Sequence, residues 1–456
     1  MKKLKNVLIS CLFLGGLSLM SCQNGTSTLL EGIPNYENKS SENVIRISAW
    51  CSPVPAGIKD NNPSFITEEQ YQYLEDSGLN TIYGLYERGK PTVMKQACEL
   101  AAKHNIKYFP YDPDIFADPE ALEWGKGDLI SQPGPKAYKD LEGYYGNLVT
   151  DEPGASQFQK IANFKKFYNE ELPGKDFYVN LFPTYATTAQ LETDSYEEYI
   201  RKYIEIVKPD YVSYDHYALM EDGYGVKKIT DDVLYNLEIV AKLCKEANIP
   251  MMTFVSTMCY GLGTREPWSV EEIRWQVMNE LAYGSIGIQY FCYFTPLGAF
   301  TDECIAMIDH SGNRTDVYYD VQEVNRQILK LDEAYLDFKW ETTKLISGST
   351  MKDTNKAFKL CNNDTSKFMN LVSVEGTLDT LVGCFTSKTE EGREAYMITN
   401  FNEPTQNIND EVSVKINGAK GALVYINGEA KDVKAKNGKF DLTIDPGNGA
   451  FLIPYK

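Results

Sequence analysis

Asn147-Leu148-Val149-Thr150-Asp151-Glu152-Pro153-Gly154 is the stretch on which the fold of this chain turns. An apolar run delivers two adjacent carboxylates, and Pro-Gly then stops it, because proline cannot donate to a strand ladder and the pair favours a turn. Three comparable strand-like runs precede it, at 44–51, 80–87 and 106–111, and four follow, at 177–182, 211–214, 250–255 and 286–294. Helical apolar spacing recurs between them, at 67–76, 93–104, 158–171, 196–207, 232–246 and 270–283, and again after the last run at 319–336. Eight strand runs in such alternation predict a (β/α)8 barrel of parallel strands over 43–341. An open doubly wound sheet would be shorter and would carry a glycine-rich loop after its first strand, where Trp50-Cys51-Ser52-Pro53 stands instead. From 342 to 456 short alternating runs are broken by Asn417-Gly418, Asn427-Gly428 and Asn437-Gly438, which predicts a small all-β sandwich domain.

Composition bounds the function. The 456 residues are 43% hydrophobic and 24% charged, as in ordinary globular proteins. The net charge of −19 argues against nucleic acid as a partner and against anionic lipid held by a basic face. Lys2, Lys3 and Lys5 precede an apolar run too short to span a bilayer, and the run ends in Leu19-Met20-Ser21-Cys22. That end resembles the lipobox of bacterial lipoproteins. It implies a signal peptide over 1–21, a lipid on Cys22, a flexible tether over 22–42 rich in Asn, Ser, Gly and Thr, and display at a membrane of the bacterial cell envelope. Eight further cysteines show no CxxC pair and no zinc spacing, so most are expected as buried free thiols, and neither metal nor cofactor is implied. Oligomeric state cannot be read from this sequence.

In a (β/α)8 barrel the reactive groups sit at the C-terminal strand ends. Glu152 at the end of the fourth strand is a candidate general acid. Side chains alternate along a strand, so only one of Asp151 and Glu152 is expected to face a substrate directly, with the other supporting it or accepting from a hydroxyl. Tyr214-Asp215-His216-Tyr217 gathers an acid, an imidazole and two aromatics at the sixth strand end, and the chain has only three histidines from which to supply one. Trp50, Glu87, Asp112, Asn180, Glu266, Tyr290 and Tyr293 complete the candidate substrate-binding cup. Aromatic faces, carboxylates and amides together suit a polyhydroxylated ligand. Glu271 and Glu272 read instead as first-turn glutamates favoured by a helix dipole.

With these residues in view, the region 44–336 resembles the TIM-barrel glycoside hydrolases of the clan A type, family 42-like. The resemblance rests on Trp50-Cys51-Ser52-Pro53, Thr150-Asp151-Glu152-Pro153, Ser213-Tyr214-Asp215-His216-Tyr217, Glu272-Ile273-Arg274-Trp275-Gln276 running into Leu281-Ala282-Tyr283-Gly284, and Asp309-His310-Ser311-Gly312-Asn313-Arg314. It implies Glu152 as acid/base and a glutamate at the end of the seventh strand as nucleophile. That second position has no match, because Ser256-Thr257-Met258-Cys259 stands there. Two-carboxylate hydrolysis then needs a substitute, and Asp215 is the expected one, with His216 and Tyr217 shaping the subsite. The alternatives are a glycan-binding protein on a barrel that has lost catalysis, and a different barrel enzyme working with one acid.

Overall fold

The computed structural model describes residues 29–36, 44–87, 90–115, 126–221, 227–258, 267–297, 305–349 and 368–456. Eight parallel strands form the barrel: β1 (Arg46–Ala49), β2 (Thr81–Tyr83), β3 (Lys107–Phe109), β4 (Gly146–Asp151), β5 (Asp176–Leu181), β6 (Val212–Tyr214), β9 (Met251–Ser256) and β10 (Gly287–Phe291). A two-stranded hairpin, β7 (Leu219–Glu221) and β8 (Lys227–Ile229), is inserted after β6. The ladder runs β3-β2-β1-β10-β9-β6-β5-β4, and a parallel bridge between Tyr108 and Tyr144 closes it. Closure removes the sheet edges that would otherwise invite pairing with another chain.

The helices around the barrel form where apolar residues recur at helical spacing and caps mark the ends: α1 (Glu68–Asp76), α2 (Pro91–Lys103), α3 (Asp128–Ser131), α4 (Pro133–Tyr138), α5 (Phe158–Glu171), α6 (Thr188–Leu191), α7 (Tyr196–Val207), α8 (Val233–Ala247), α9 (Val270–Ala282) and α10 (Asp316–Tyr335). Helix α9 opens with a capping box in which the Ser269 side chain accepts from the Glu272 N–H and Glu272 accepts from the Ser269 N–H. Glu272 is therefore a cap, and Lys227 also pairs with it at 2.8 Å. Nearly every residue of α9 is buried, because the helix lies between the barrel and the C-terminal domain. Among the described residues no helix is long and apolar enough to cross a membrane.

Aromatic rings fill the barrel interior. Trp50 lies against Tyr83, Tyr178 and Phe254, and Tyr83 stacks on Tyr178 at 4.6 Å. Below them Arg46 pairs with Asp176 at 2.8 Å and sits over the rings of Phe109, Tyr145 and Tyr211, which closes the N-terminal end of the barrel.

The C-terminal domain is the predicted sandwich. Its six-stranded sheet has the order β11 (Phe338–Ile346), β13 (Thr380–Ser387), β14 (Glu394–Asn400), β19 (Gly449–Tyr455), β16 (Gly421–Ile426), β17 (Glu429–Lys434). The three-stranded sheet comprises β12 (Leu371–Gly376), β15 (Asp410–Ile416) and β18 (Lys439–Ile444). Strand β11 starts at Phe338, a few residues ahead of the expected change at 342. The expectation of a flexible tether over 22–42 needs correcting at 29–36. Leu29 is buried in the sandwich core, the Lys456 N–H donates to Leu30 O at 3.0 Å, and the Gly32 N–H donates to Lys456 O at 3.2 Å. An apolar Leu29-Leu30 pair inside a polar stretch is what the core captures. Five cysteines, Cys51, Cys98, Cys244, Cys292 and Cys384, are buried free thiols.

Candidate active site

The site is built around Asn180 on β5. Its Nδ2 donates to Asp151 Oδ1 at 3.1 Å and to Asp215 Oδ1 at 3.0 Å. Both carboxylate oxygens lie within 3.1 Å of one nitrogen, so they are no more than about 6 Å apart. A polar chain fixes which way the amide points: Tyr178 donates to Gln289, Gln289 to Ser213 Oγ, and Ser213 Oγ to Asn180 Oδ1, at 2.8, 2.8 and 3.0 Å. With its oxygen occupied, Asn180 has only N–H groups to offer the two acids.

Glu152 follows Asp151 with φ +49, the left-handed region, while its N–H still donates to Asn180 O at 2.9 Å. A side chain there costs about 1–2 kcal/mol relative to ordinary backbone. The turn is held from outside: Tyr199 OH donates to Pro153 O at 2.7 Å, and Glu192 accepts from the Ser156 N–H at 2.8 Å. The kink interrupts strand alternation at Glu152. Asp151 and Asp215 meet on the Asn180 amide, and the charge of Glu152 adds to what raises the proton affinity of Asp215.

Their electrostatics follow from that crowding. Among the described residues no Lys, Arg or His pairs with any of the three. Burial, then the charge of Asp151, pushes Glu152 up to about 7. Burial pushes Asp151 up to about 6 against the Asn180 hydrogen bond. Burial, then Asp151 and Glu152, pushes Asp215 well above the usual carboxylate range. Asp151 is open to water yet closely surrounded by protein, the condition of a group inside a concave cleft. With Glu152 at about 7 and Asp215 well above the usual carboxylate range, chiefly through burial, the group keeps protons near neutrality.

This has a stability consequence of fixed sign. Between about pH 4.5 and 7 the folded chain retains on Glu152 a proton that the unfolded chain has lost, so this group's contribution falls as pH rises through that window. Glu152→Gln is therefore expected to melt higher than the wild type at pH 8, with the difference vanishing below pH 4.5. Thermal melts across pH check this; a difference independent of pH would contradict it.

Around the acids, Tyr217 is half-buried and meets Phe254 and Phe291 edge-on, at 6.5 and 6.1 Å. His216 is buried, and its Nε2 lies 3.1 Å from Asp232, which also accepts from Thr184 Oγ1 at 2.5 Å. The ring of Tyr185, 50% exposed, lies 5.3 Å from that of His216, and its hydroxyl feels the charges of Asp215 and Glu152. His216 thus braces an aromatic platform beside the acids. Trp50 is buried in the ring layer below them.

Four expected binding residues lie elsewhere. Glu87 is fully buried and accepts from Ser52 Oγ at 2.6 Å and from Tyr108 OH, so it knits loops together. Asp112 is buried and pushed to about 6 by burial; it accepts from Tyr138 OH at 2.6 Å and from the Asp114 N–H at 3.0 Å. Tyr290 and Tyr293 point outward from the barrel, donating to Asn325 Oδ1 on α10 at 2.8 Å and to Gln70 O on α1 at 3.0 Å. Glu266 and Cys22 lie outside the described residues. Tyr185 and Phe291 are the aromatics that sequence reading missed. Phe291 could have been found by parity: Gln289 faces the interior, so 291 does too and 290 does not.

The end of β9 carries no carboxylate among the described residues. The Ser256 N–H donates to Gln276 Oε1 at 3.1 Å, and Trp268 Nε1 donates to Met258 O at 2.8 Å, so α9 and Trp268 pin this strand end.

Comparison with known proteins supports the architecture. The chain superposes on a beta-galactosidase from Bacillus circulans sp. alkalophilus with a TM-score of 0.56 at 11% identity, covering 91% of this chain and 99% of that one. An alpha-L-arabinofuranosidase from Thermotoga maritima gives 0.45 at 11% identity, covering 91% and 96%. A GH30 endoxylanase from Clostridium papyrosolvens C71 gives 0.44 at 10% identity, covering 95% and 100%. The first of these shows a shared fold. No curated protein matches the chain. The glycoside hydrolase family 42 model, described as beta-galactosidase, matches residues 162–331, a stretch that begins after Glu152 and contains Asn180 and Asp215. Over residues 162–331 the chain is thus similar in sequence to the glycoside hydrolase family 42 beta-galactosidases.

Proposed function

We propose that the chain cleaves a glycosidic bond with retention of configuration, using Glu152 as acid/base and Asp215 as nucleophile. The observation that carries this reading is the Asn180 amide joined to both Asp151 and Asp215, with Glu152 next to Asp151 in the chain and its charge felt by Asp215. Retaining enzymes hold their carboxyls about 5–5.5 Å apart, whereas inverting ones leave about 6.5–9.5 Å for a water. Asp215 lies within about 6 Å of the residue next to Glu152, which favours the compact arrangement.

The chemistry follows from the proton distribution. Glu152, pushed up to about 7, holds a proton near neutrality and gives it to the glycosidic oxygen as the C1–O bond breaks. Burial is the largest influence against ionisation of Asp215; protonation of Glu152 removes one of the two charges that add to it, and the Asn180 N–H stabilises the anion that this reading requires. Asp215 then forms the bond to C1. Water attacks that ester as Glu152 takes back a proton, which releases the sugar and restores both acids. Tyr185 and Tyr217 offer ring faces against which a sugar can stack. The family match makes a β-galactoside the first substrate to try. The test is release of nitrophenol from a panel of nitrophenyl glycosides across pH 4–9, in which kcat/KM is expected to fall as pH rises past about 7. No cleavage anywhere in the panel, with glycans still bound, would leave the second reading, a binding protein on a hydrolase barrel. That reading draws on the acid-free end of β9.

The lipobox-like Leu19-Met20-Ser21-Cys22 supports anchoring by a lipid on Cys22 at a bacterial membrane. Radiolabelled palmitate should enter the chain in a bacterial host and be lost in Cys22→Ala. Equal labelling of the two would refute the anchor.

A further inference from the structure

At the opposite end of the barrel from the carboxyls lies a half-open cavity of about 570 Å³, lined by the N-terminal strand ends, the C-terminal end of α8 and strands β11 and β13. Its size is that of a pocket for a small organic ligand. Its charge runs against the rest of the chain. Arg46, Lys107, Lys245, Lys339 and Lys388 line it, with Glu341 as the only carboxylate, in a protein of net charge −19. Asp176 neutralises Arg46, and Lys245 and Lys339 share Glu341 at 2.7 and 3.5 Å. Lys107 makes no ion pair among the described residues; its Nζ sits 4.6 Å above the Tyr145 ring. Lys388 Nζ donates to Leu336 O at 2.8 Å. Even without Lys388, which has a further partner, Lys107 together with Lys245 and Lys339 sharing the one Glu341 leaves the lining more positive than negative, which favours anions.

The same cavity has a fixed aromatic wall. Trp340 lies 6.0 Å from Tyr283 with a 31° tilt between the rings, and its Nε1 donates to Thr343 Oγ1 at 2.8 Å. Gly284, at φ +83, allows this approach, since a Cβ there would sit 2.5 Å from Trp340 Cβ. Cations beside a braced indole make a site for a ring compound that carries negative charge.

We propose that this cavity binds an anionic saccharide, a pyranose carrying a carboxylate or a sulfate, at a site separate from the barrel mouth. The sugar ring in this proposal rests on the hydrolase reading; the anionic group rests on the lysines alone. The test is calorimetric titration of the full chain carrying Glu152→Gln, so that nothing turns over, with glucuronate, galactose 6-sulfate, galactose and inorganic sulfate. The two charged sugars are expected to bind one site. Lys107→Gln/Lys339→Gln and Trp340→Ala are each expected to weaken them at least about tenfold. Trp340→Phe, which keeps a ring, should fall between, and Asp215→Asn should leave their affinity unchanged. Charged sugars that bind no better than galactose, or that ignore the lysine variants, would overturn the proposal. Inorganic sulfate binding as tightly as the sugar sulfate would overturn its saccharide part. In an otherwise wild-type chain the same lysine pair should leave kcat/KM for uncharged nitrophenyl galactosides unchanged, so failure at the floor and failure at the mouth are read separately.

Discussion

Glu152→Gln and Asp215→Asn are each expected to lower kcat by about 10²–10⁴-fold while glycan affinity stays within a few-fold. The reason is geometric as well as chemical. Gln keeps the size of Glu152 and can occupy the same kinked backbone, but it has no acidic proton to give. Asn at 215 still meets the Asn180 amide but cannot form an ester with C1 as a carboxylate does. Because the two residues act as one unit in the same reaction, the double variant should be little worse than either single one. Initial rates on nitrophenyl glycosides, paired with calorimetric binding of an uncleaved glycan, make the measurement. A single variant retaining near-wild-type kcat would remove that residue from the mechanism.

The second large effect concerns the seam between the two domains. Trp275 on α9 is fully buried, its ring 5.3 Å from Phe401 and its Nε1 donating to Phe401 O at 3.4 Å. On the same helix Arg274 donates to Pro446 O at 2.8 Å, and Asn279 accepts from Thr399 Oγ1 at 2.6 Å. Trp275→Ala should cost about 3–5 kcal/mol, the range for emptying a large aromatic site. Since α9 also pins the end of β9 through Gln276, the loss should reach the barrel mouth. The expected result is a lower urea midpoint, with barrel and sandwich melting in separate steps. A single transition at the wild-type midpoint would contradict this account of the seam.

The barrel was legible in the sequence because eight apolar runs alternating with helical spacing admit few other closed arrangements. The sandwich was legible from its Asn-Gly turns. The site was legible in part. Asp151, Asn180 and Asp215 stand at strand ends or inward positions and are joined by hydrogen bonds, and Glu152 follows Asp151 in the chain. The errors came from side-chain direction. Tyr290 looks outward because alternation on β10 puts Gln289 and Phe291 inside, and Tyr293, past the strand end, is held by Gln70 on α1. Glu87 and Asp112 follow strands as a catalytic acid would, yet Ser52, Tyr108 and Tyr138 draw them into the packing behind the barrel. Partners contributed by distant segments leave no local pattern in sequence. The kink at Glu152 was equally hidden, since glutamate does not advertise a left-handed backbone as glycine does.

The central claim is that the sixth-strand aspartate serves as nucleophile where the seventh strand has none. Incubation with a 2-deoxy-2-fluoro glycoside carrying a good leaving group should trap the ester, because the fluorine slows its hydrolysis more than its formation. Peptide mass spectrometry of the trapped protein is predicted to place one sugar on the peptide containing Asp215. A label on Asp151, Glu266 or any other residue, or turnover with inverted configuration and no label at all, would contradict the account.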